Sequence, residues 1–196
     1  MQFLKACWRP LVVGLAAAVL FSGAPIAQSM PLAERIAQCG ACHGEDGNSQ
    51  QEKIPSLAGQ PEFFVLNQLF LMREGVRQVE AMMPFVKELK DAEMDALAKH
   101  YAKLAPKPSD EKIDAALAKR GEEMSGPLRC ASCHLPDFSG QQQMPRLAKQ
   151  RVDYLLHSLK EYRDNSRTGS DTLMNNVVAG LSDADLVALA HYSAGK

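Results

Sequence analysis

Cys39-Gly40-Ala41-Cys42-His43 and, 91 residues further on, Cys130-Ala131-Ser132-Cys133-His134 decide how this chain is built. A Cys-x-x-Cys-His run is the attachment site of a c-type haem. The two thiols add across the haem vinyl groups, and the adjacent histidine becomes the proximal ligand to iron. Two copies imply two covalently bound haem c groups. Cys39, Cys42, Cys130 and Cys133 are then the attachment residues, with His43 and His134 as proximal ligands. Two other readings of a CxxC pair fit less well. A redox dithiol needs a βαβ context, and no strand pattern is visible. A four-cysteine zinc site has no use for a histidine after each pair.

The N-terminus says where this chemistry takes place. Lys5 and Arg9 form a basic n-region, Leu11–Phe21 is a short apolar core, and small residues follow through Ser29. Residues 1–29 therefore read as a cleaved signal peptide, with Ala27-Gln28-Ser29 as a small-x-small cleavage site. The destination expected is the periplasm. The apolar core is short for a bilayer span, which needs about 20 residues, so an uncleaved anchor is the alternative. Cys7 leaves with the signal, and every remaining cysteine belongs to a haem motif. Losing Lys5 and Arg9 takes the formal charge from −1 to −3. No basic surface suited to nucleic acid is implied, and steering of partners should be modest.

The surroundings of the motifs repeat as well. Ile54-Pro55-Ser56-Leu57-Ala58 matches Met144-Pro145-Arg146-Leu147-Ala148, and Phe64–Leu69 matches Tyr154–Leu159. Arg73 and Arg77 match Arg163 and Arg167. Leu89–Glu93 matches Leu181–Asp185. One all-α domain has been duplicated, each copy shorter than the usual domain, with its haem supplying much of the core. The expected organisation is a domain at 30–105, a linker at 106–111 marked by Pro106 and Pro108, and a domain at 112–196. Helices are expected at Leu32–Cys39, Glu62–Arg73, Ile113–Glu123 and Arg151–Arg163. The last helix of each half starts at Lys90-Asp91 and Ser182-Asp183, Ser182 being a good N-cap. The segments between are read as loops.

An electron-transfer haem is usually closed on its second face, and methionine suits that place because its thioether favours Fe(II). The repeat narrows nine methionines to two. Met82 and Met174 each lie seven residues before the leucine that opens the last helix, Leu89 and Leu181. Met72, Met83, Met94, Met124 and Met144 read as core or pocket packing. His100, His157 and His191 do not repeat as ligands would. Pro55 and Pro145 could offer a carbonyl to the Nδ1–H of the proximal histidine. Arg73 with Arg163, or Arg77 with Arg167, could pair with haem propionates.

At this point the chain resembles the cytochrome c4 family. The likeness rests on Cys39-x-x-Cys42-His43-Gly44-Glu45-Asp46-Gly47-Asn48-Ser49, Pro55–Gln60, Met82 and the Leu-x-Asp-Ala helix start, most of it echoed in the second half. The resemblance implies two tandem class I cytochrome c domains with haem edges close together. It implies Met82 and Met174 as axial ligands, and a periplasmic carrier, loosely membrane-associated, moving electrons toward a terminal oxidase. A quinol–cytochrome c reductase would be the donor. The alternative is a cytochrome subunit of a periplasmic dehydrogenase; a dihaem peroxidase would need an open iron position and a catalytic cluster that is not visible. The chain departs from the family pattern twice. Leu135-Pro136-Asp137-Phe138-Ser139-Gly140 stands where Gly-x-Asp-Gly is expected, and Arg163-Asp164-Asn165 replaces the glycine turn at Arg73-Glu74-Gly75. Both departures bear on the loop geometry and exposure of the second haem, not on its attachment.

Overall fold

The computed structural model describes residues 30–169 and 172–196, so the expected signal peptide lies outside it. Among the described residues every regular element is a helix, apart from one antiparallel bridge between Gln141 and Met144. The first half holds α1 (Leu32–His43), α2 (Glu62–Arg73), α3 (Met83–Val86) and α4 (Asp91–Ala102). The second holds α5 (Ala115–Ser125), α6 (Ala131–His134), α7 (Val152–Arg163), α8 (Thr172–Val178) and α9 (Asp183–Ala194). α2, α3 and α4 correspond to α7, α8 and α9, and α1 corresponds to α5 and α6 together.

Two details depart from the sequence expectation. α1 does not stop at Cys39 but carries the whole first motif, which puts Cys39 and His43 one turn apart on one face. In the second half the helix breaks after Ser125, Arg129 adopts φ 59°, and a separate short turn carries Cys133 and His134. The stretches before the last helices are short helices rather than loops. Met82 caps α3, with Pro84 in its first turn, and Met174 lies within α8. The four-residue apolar run Met83-Pro84-Phe85-Val86 carries too little periodicity to announce a helix.

Each half has its own core. Met72, Val86, Leu89, Met94, Leu97 and Tyr101 form the first; Val152, Leu155, Ala190 and Ala194 form the second. In the second half α5 and α9 cross closely. A Cβ on Gly121 would meet the Ala188 carbonyl and would lie 2.7 Å from the Tyr192 Cβ. Arg73 and Arg163 are pins rather than pocket residues. The Arg73 Nη1 donates to the Leu89 carbonyl and Asp91, and the Arg163 Nη1 donates to the Leu181 carbonyl and Asp183.

The halves face each other through a pseudo-twofold junction. The Gln150 side chain takes both backbone groups of Ser56: Ser56 N–H donates to Oε1 (2.8 Å) and Nε2 donates to the Ser56 carbonyl (2.9 Å). Gln60 does the same to Arg146, with both bonds at 3.0 Å. Ser56 and Arg146 are equivalent positions, as are Gln60 and Gln150, so the contact is self-complementary in the manner of a twofold dimer. All four residues are buried, between 1% and 4% exposed. The connecting segment is tied down on both sides. Lys107 N–H donates to Asn48 Oδ1 (2.8 Å), and the Glu111 carboxylate accepts from the N–H groups of Val152 and Asp153 (2.7 and 2.9 Å). Glu111 thereby caps α7 from outside it.

Candidate haem sites

Each motif histidine is turned the way a proximal ligand needs. His43 Nδ1 lies 2.8 Å from the Pro55 carbonyl, and His134 Nδ1 lies 2.9 Å from the Pro145 carbonyl. A carbonyl oxygen only accepts, so in each ring Nδ1 carries the proton and Nε2 keeps its lone pair. Burial pushes both imidazoles below the usual histidine range, against the pull of the carbonyl bond, and holds them neutral. The His134 Nε2 is buried with no hydrogen-bond partner. A buried nitrogen lone pair without a donor is costly unless a metal takes it.

Two cavities carry the remaining expected residues. Cys39, His43, Leu69, Met72 and Met82 line the first, and Cys130, Cys133, His134, Met174 and Val178 line the second. Cys42 is exposed on α1. Met72 and Met144 also reach cavity walls, Met144 at the junction, but their repeat partners are Tyr162 and Ile54. Met83, Met94 and Met124 do not line these cavities. All four motif cysteines are free thiols among the described residues, and no cluster of three or more His, Cys, Asp or Glu side chains could hold a bare metal ion there. The donor set in each half is one imidazole, one thioether and a thiol pair, which suits haem c and not zinc.

A third cavity lies at the junction and is rich in cations. Arg77 and Arg167 line it together with Tyr154, Arg146 and His134. Arg77 Nη1 donates to Gln68 Oε1 (2.6 Å), and Arg167 Nη1 reaches Ser158 Oγ, the equivalent place, as well as Glu161 (2.6 Å). Burial raises the Tyr154 phenol, but the Arg77 and Arg167 guanidiniums outweigh it and bring it down to about 8. Arg146 is 3% exposed, and its Nε and Nη1 donate to the carbonyls of Ala58 and Ala148. Its Nη2 has no partner, and burial pulls the guanidinium down to about 10. Arg167 is paired with Glu161, but Arg146 holds its buried charge on carbonyl oxygens alone among the described residues and is short of an anion. Haem carboxylates fit that need, and when bound the haem iron supplies a one-electron Fe(III)/Fe(II) couple.

The loops around the second motif keep the shape of the first. Gly47 N–H donates to the Gly44 carbonyl, and Phe138 N–H donates to the Leu135 carbonyl (2.9 and 3.1 Å). Leu57 and Ala58 N–H groups converge on the Gly47 carbonyl, as those of Leu147 and Ala148 converge on Phe138. Phe138 holds φ 57° where Gly47 holds 75°, and the strain is offset by complete burial of its ring edge-to-face on Tyr192 (5.5 Å). Asn165 takes the left-handed turn of Gly75 at φ 54° against 70°, a conformation asparagine tolerates. Sequence reasoning missed Gln60, Gln150, Arg146 and Tyr154. The repeated Pro-x-Leu-Ala-x-Gln pattern was the signal for the two glutamines; nothing marked the other two, whose repeat partners are Ser56 and Phe64.

Comparison with known proteins gives the same picture. A family model described as cytochrome c matches residues 118–192, and one described as cytochrome C oxidase, cbb3-type, subunit III matches 32–100, one in each half. The chain is 33% identical over 170 residues to cytochrome c4 of Pseudomonas aeruginosa, covering 82% of this chain and 85% of the relative. It is 34% identical over 188 residues to the thiosulfate dehydrogenase electron acceptor of Thiomonas intermedia, covering 90% and 86%. The crystal structure of reduced recombinant cytochrome c4 from Pseudomonas stutzeri superposes with a TM-score of 0.77 at 33% identity, over 84% of this chain and 96% of that one. Thiosulfate dehydrogenase from Marichromatium purpuratum superposes at 0.71 with 30% identity, over 83% of this chain but 38% of that one. Duplicated helical halves, two thiol–imidazole–thioether cavities and these relatives together place the chain in the cytochrome c4 family of electron carriers, with two covalently bound haem c groups.

Proposed function

We propose that the chain carries electrons through two linked centres, in domains at 30–105 and 112–196 joined by 106–111. His43 with Met82, and His134 with Met174, are the axial pairs; Cys39, Cys42, Cys130 and Cys133 hold the haems by thioethers. The observation that carries this is the placement of each histidine, neutral and with Nε2 free, in a cavity shared with the methionine that repeats. Closing both iron faces leaves no place for a substrate, which favours a carrier over a peroxidase. Residues 1–29 export the chain to the periplasm. Among the described residues no single helix is long and apolar enough to cross a membrane.

A respiratory route, from a quinol–cytochrome c reductase toward a terminal oxidase, is one setting. The second setting is a periplasmic dehydrogenase that delivers electrons from a sulfur compound. It is favoured by two thiosulfate dehydrogenase electron acceptors among the relatives, and by a dehydrogenase chain that contains a unit of this fold. The same protein serves both, with the dehydrogenase as donor and the oxidase as acceptor.

Optical and EPR spectra of the holoprotein, with haem quantified per chain, test the assignment. Two low-spin haems, both with the red-region band of methionine on Fe(III), are expected. Met82→Ala and Met174→Ala should each remove that band from one haem and open it to CO. A high-spin haem in the parent, or a variant with unchanged spectrum and CO reactivity, overturns the corresponding ligand.

A further inference from the structure

Two peptide groups link the proximal histidines to the opposite half of the molecule. The peptide between Pro55 and Ser56 accepts from His43 Nδ1–H on its carbonyl (2.8 Å) and donates from its N–H to Gln150 Oε1 (2.8 Å). The peptide between Pro145 and Arg146 accepts from His134 Nδ1–H (2.9 Å) and donates to Gln60 Oε1 (3.0 Å). The path in each direction is imidazole, one amide plane, then a glutamine of the other half.

From this geometry we propose that Gln150 and Gln60 are crosswise positioning residues: each sets how strongly the proximal histidine of the other half donates to its iron. An acceptor on a peptide N–H draws charge through the amide and makes the carbonyl more negative. Chains of this kind strengthen each bond by roughly 10–30%. A stronger carbonyl acceptor pulls harder on the Nδ1 proton and makes the imidazole a more basic ligand. A more basic ligand favours Fe(III) and lowers the potential. Water cannot take over the role, because Ser56 (1%), Arg146 (3%), Gln150 (2%) and Gln60 (4%) are all buried. The orientation of each glutamine is fixed too: Nε2 donates to the carbonyl of the very residue whose N–H reaches Oε1. Gln150 Oε1 also accepts from Arg151 N–H (3.0 Å), so its hold on Ser56 is shared, whereas the bond of Gln60 to Arg146 is its one contact of that kind among those described.

A glutamine pair that only fastened the halves together would affect both centres alike. The crosswise path makes a different statement. The state of the junction reaches each iron through its own histidine.

The inference rests on His43 and His134 as axial ligands. The experiment uses the full-length holoprotein and its variants Gln150→Leu and Gln60→Leu. Haem-methyl and axial-methionine proton resonances, followed through a reductive titration, give the two potentials separately, and Met82→Ala assigns them. Gln150→Leu should give the larger upward shift to the haem of His43, and Gln60→Leu to the haem of His134. The Ser56 amide should exchange faster in the first variant and the Arg146 amide in the second. A larger shift in the variant's own half, equal shifts in both haems, or no shift overturns the proposal. If leucine lowers the haem content, Gln150→Met and Gln60→Met are read by the same criteria. A parent protein without the low-spin histidine–methionine signals would overturn the ligand assignment instead, so the two failures are distinguishable.

Discussion

Leu135 holds, directly after His134, the backbone conformation that Gly44 holds after His43: φ 69° and ψ 160° against φ 85° and ψ 140°. This region is nearly closed to residues with a Cβ and costs about 1–3 kcal/mol to occupy. The hydrogen bond from Phe138 N–H and the burial of the Phe138 ring hold Leu135 there. Leu135→Gly is therefore expected to stabilise the holoprotein by about 1 kcal/mol, after the greater freedom of glycine in the unfolded chain is subtracted. Gly44→Ala should do the reverse, by about 1–3 kcal/mol, because its Cβ would press on the Asn48 carbonyl and lie 3.1 Å from the Asn48 nitrogen. Thermal unfolding at one haem oxidation state checks both; an unstable Leu135→Gly would show that the leucine side chain outweighs the strain.

Lys90 and Ser182 occupy equivalent places before α4 and α9, and only one of them caps. Ser182 Oγ accepts from Asp185 N–H (3.3 Å) while the Asp185 carboxylate accepts from Ser182 N–H (2.9 Å). In the first half Glu93 returns the bond to Lys90 N–H (2.9 Å), but a lysine side chain has no acceptor to offer. Lys90 already has the extended backbone of an N-cap, at φ −82° and ψ 156°. Lys90→Ser completes the box and should stabilise the first domain by about 0.5–1 kcal/mol. The check is a raised unfolding midpoint in denaturant with an unchanged slope.

The haem motifs and the helical halves were legible because covalent chemistry and duplication leave marks at fixed spacing, and the same duplication singles out Met82 and Met174 as the candidates to test. The geometry of the two departing loops was not legible, for a physical reason. Sequence shows that glycine is absent at Leu135, Phe138 and Asn165, but not that burial of the Phe138 ring can hold a left-handed backbone without it. Arg146 was invisible because its serine counterpart Ser56 gave no hint of charge. Gln60 and Gln150 sat in plain view within the repeat. Their role depends on how two copies face each other, and periodicity within one copy carries no information about that.

Gly121 marks where α5 and α9 come closest. A methyl group there would run into the Ala188 carbonyl and the Tyr192 Cβ, both on α9. Backbone cannot yield as a flexible side chain can, so Gly121→Ala should destabilise the second domain by about 1–3 kcal/mol despite alanine's better helix propensity. Hydrogen exchange localises the effect: protection should fall in α5 and α9 and stay unchanged in α2 and α4. Stability equal to the parent would mean that the two helices can slide apart at no cost.

Asp183 opens α9 under two cations, and its behaviour in acid follows from them. Its carboxylate accepts from Lys160 Nζ (2.8 Å) and from Arg163 Nη1 (2.5 Å), which together hold its pKa down to about 2. The folded value lies below the unfolded one, near 3.9. Between the two the unfolded chain binds more protons, so stability from this carboxylate is complete above about pH 4 and is lost as pH falls toward 2. Asp183 is 61% exposed, so the contribution is small and screened by salt. Asp183→Asn should therefore be less stable than the parent at pH 5 to 7, with the difference closing as pH falls to about 2 and shrinking at high ionic strength. Urea unfolding of both proteins at several pH values reads this directly. A difference that stayed constant down to pH 2 would show that the charge of Asp183 contributes nothing, and that only its hydrogen-bond geometry matters.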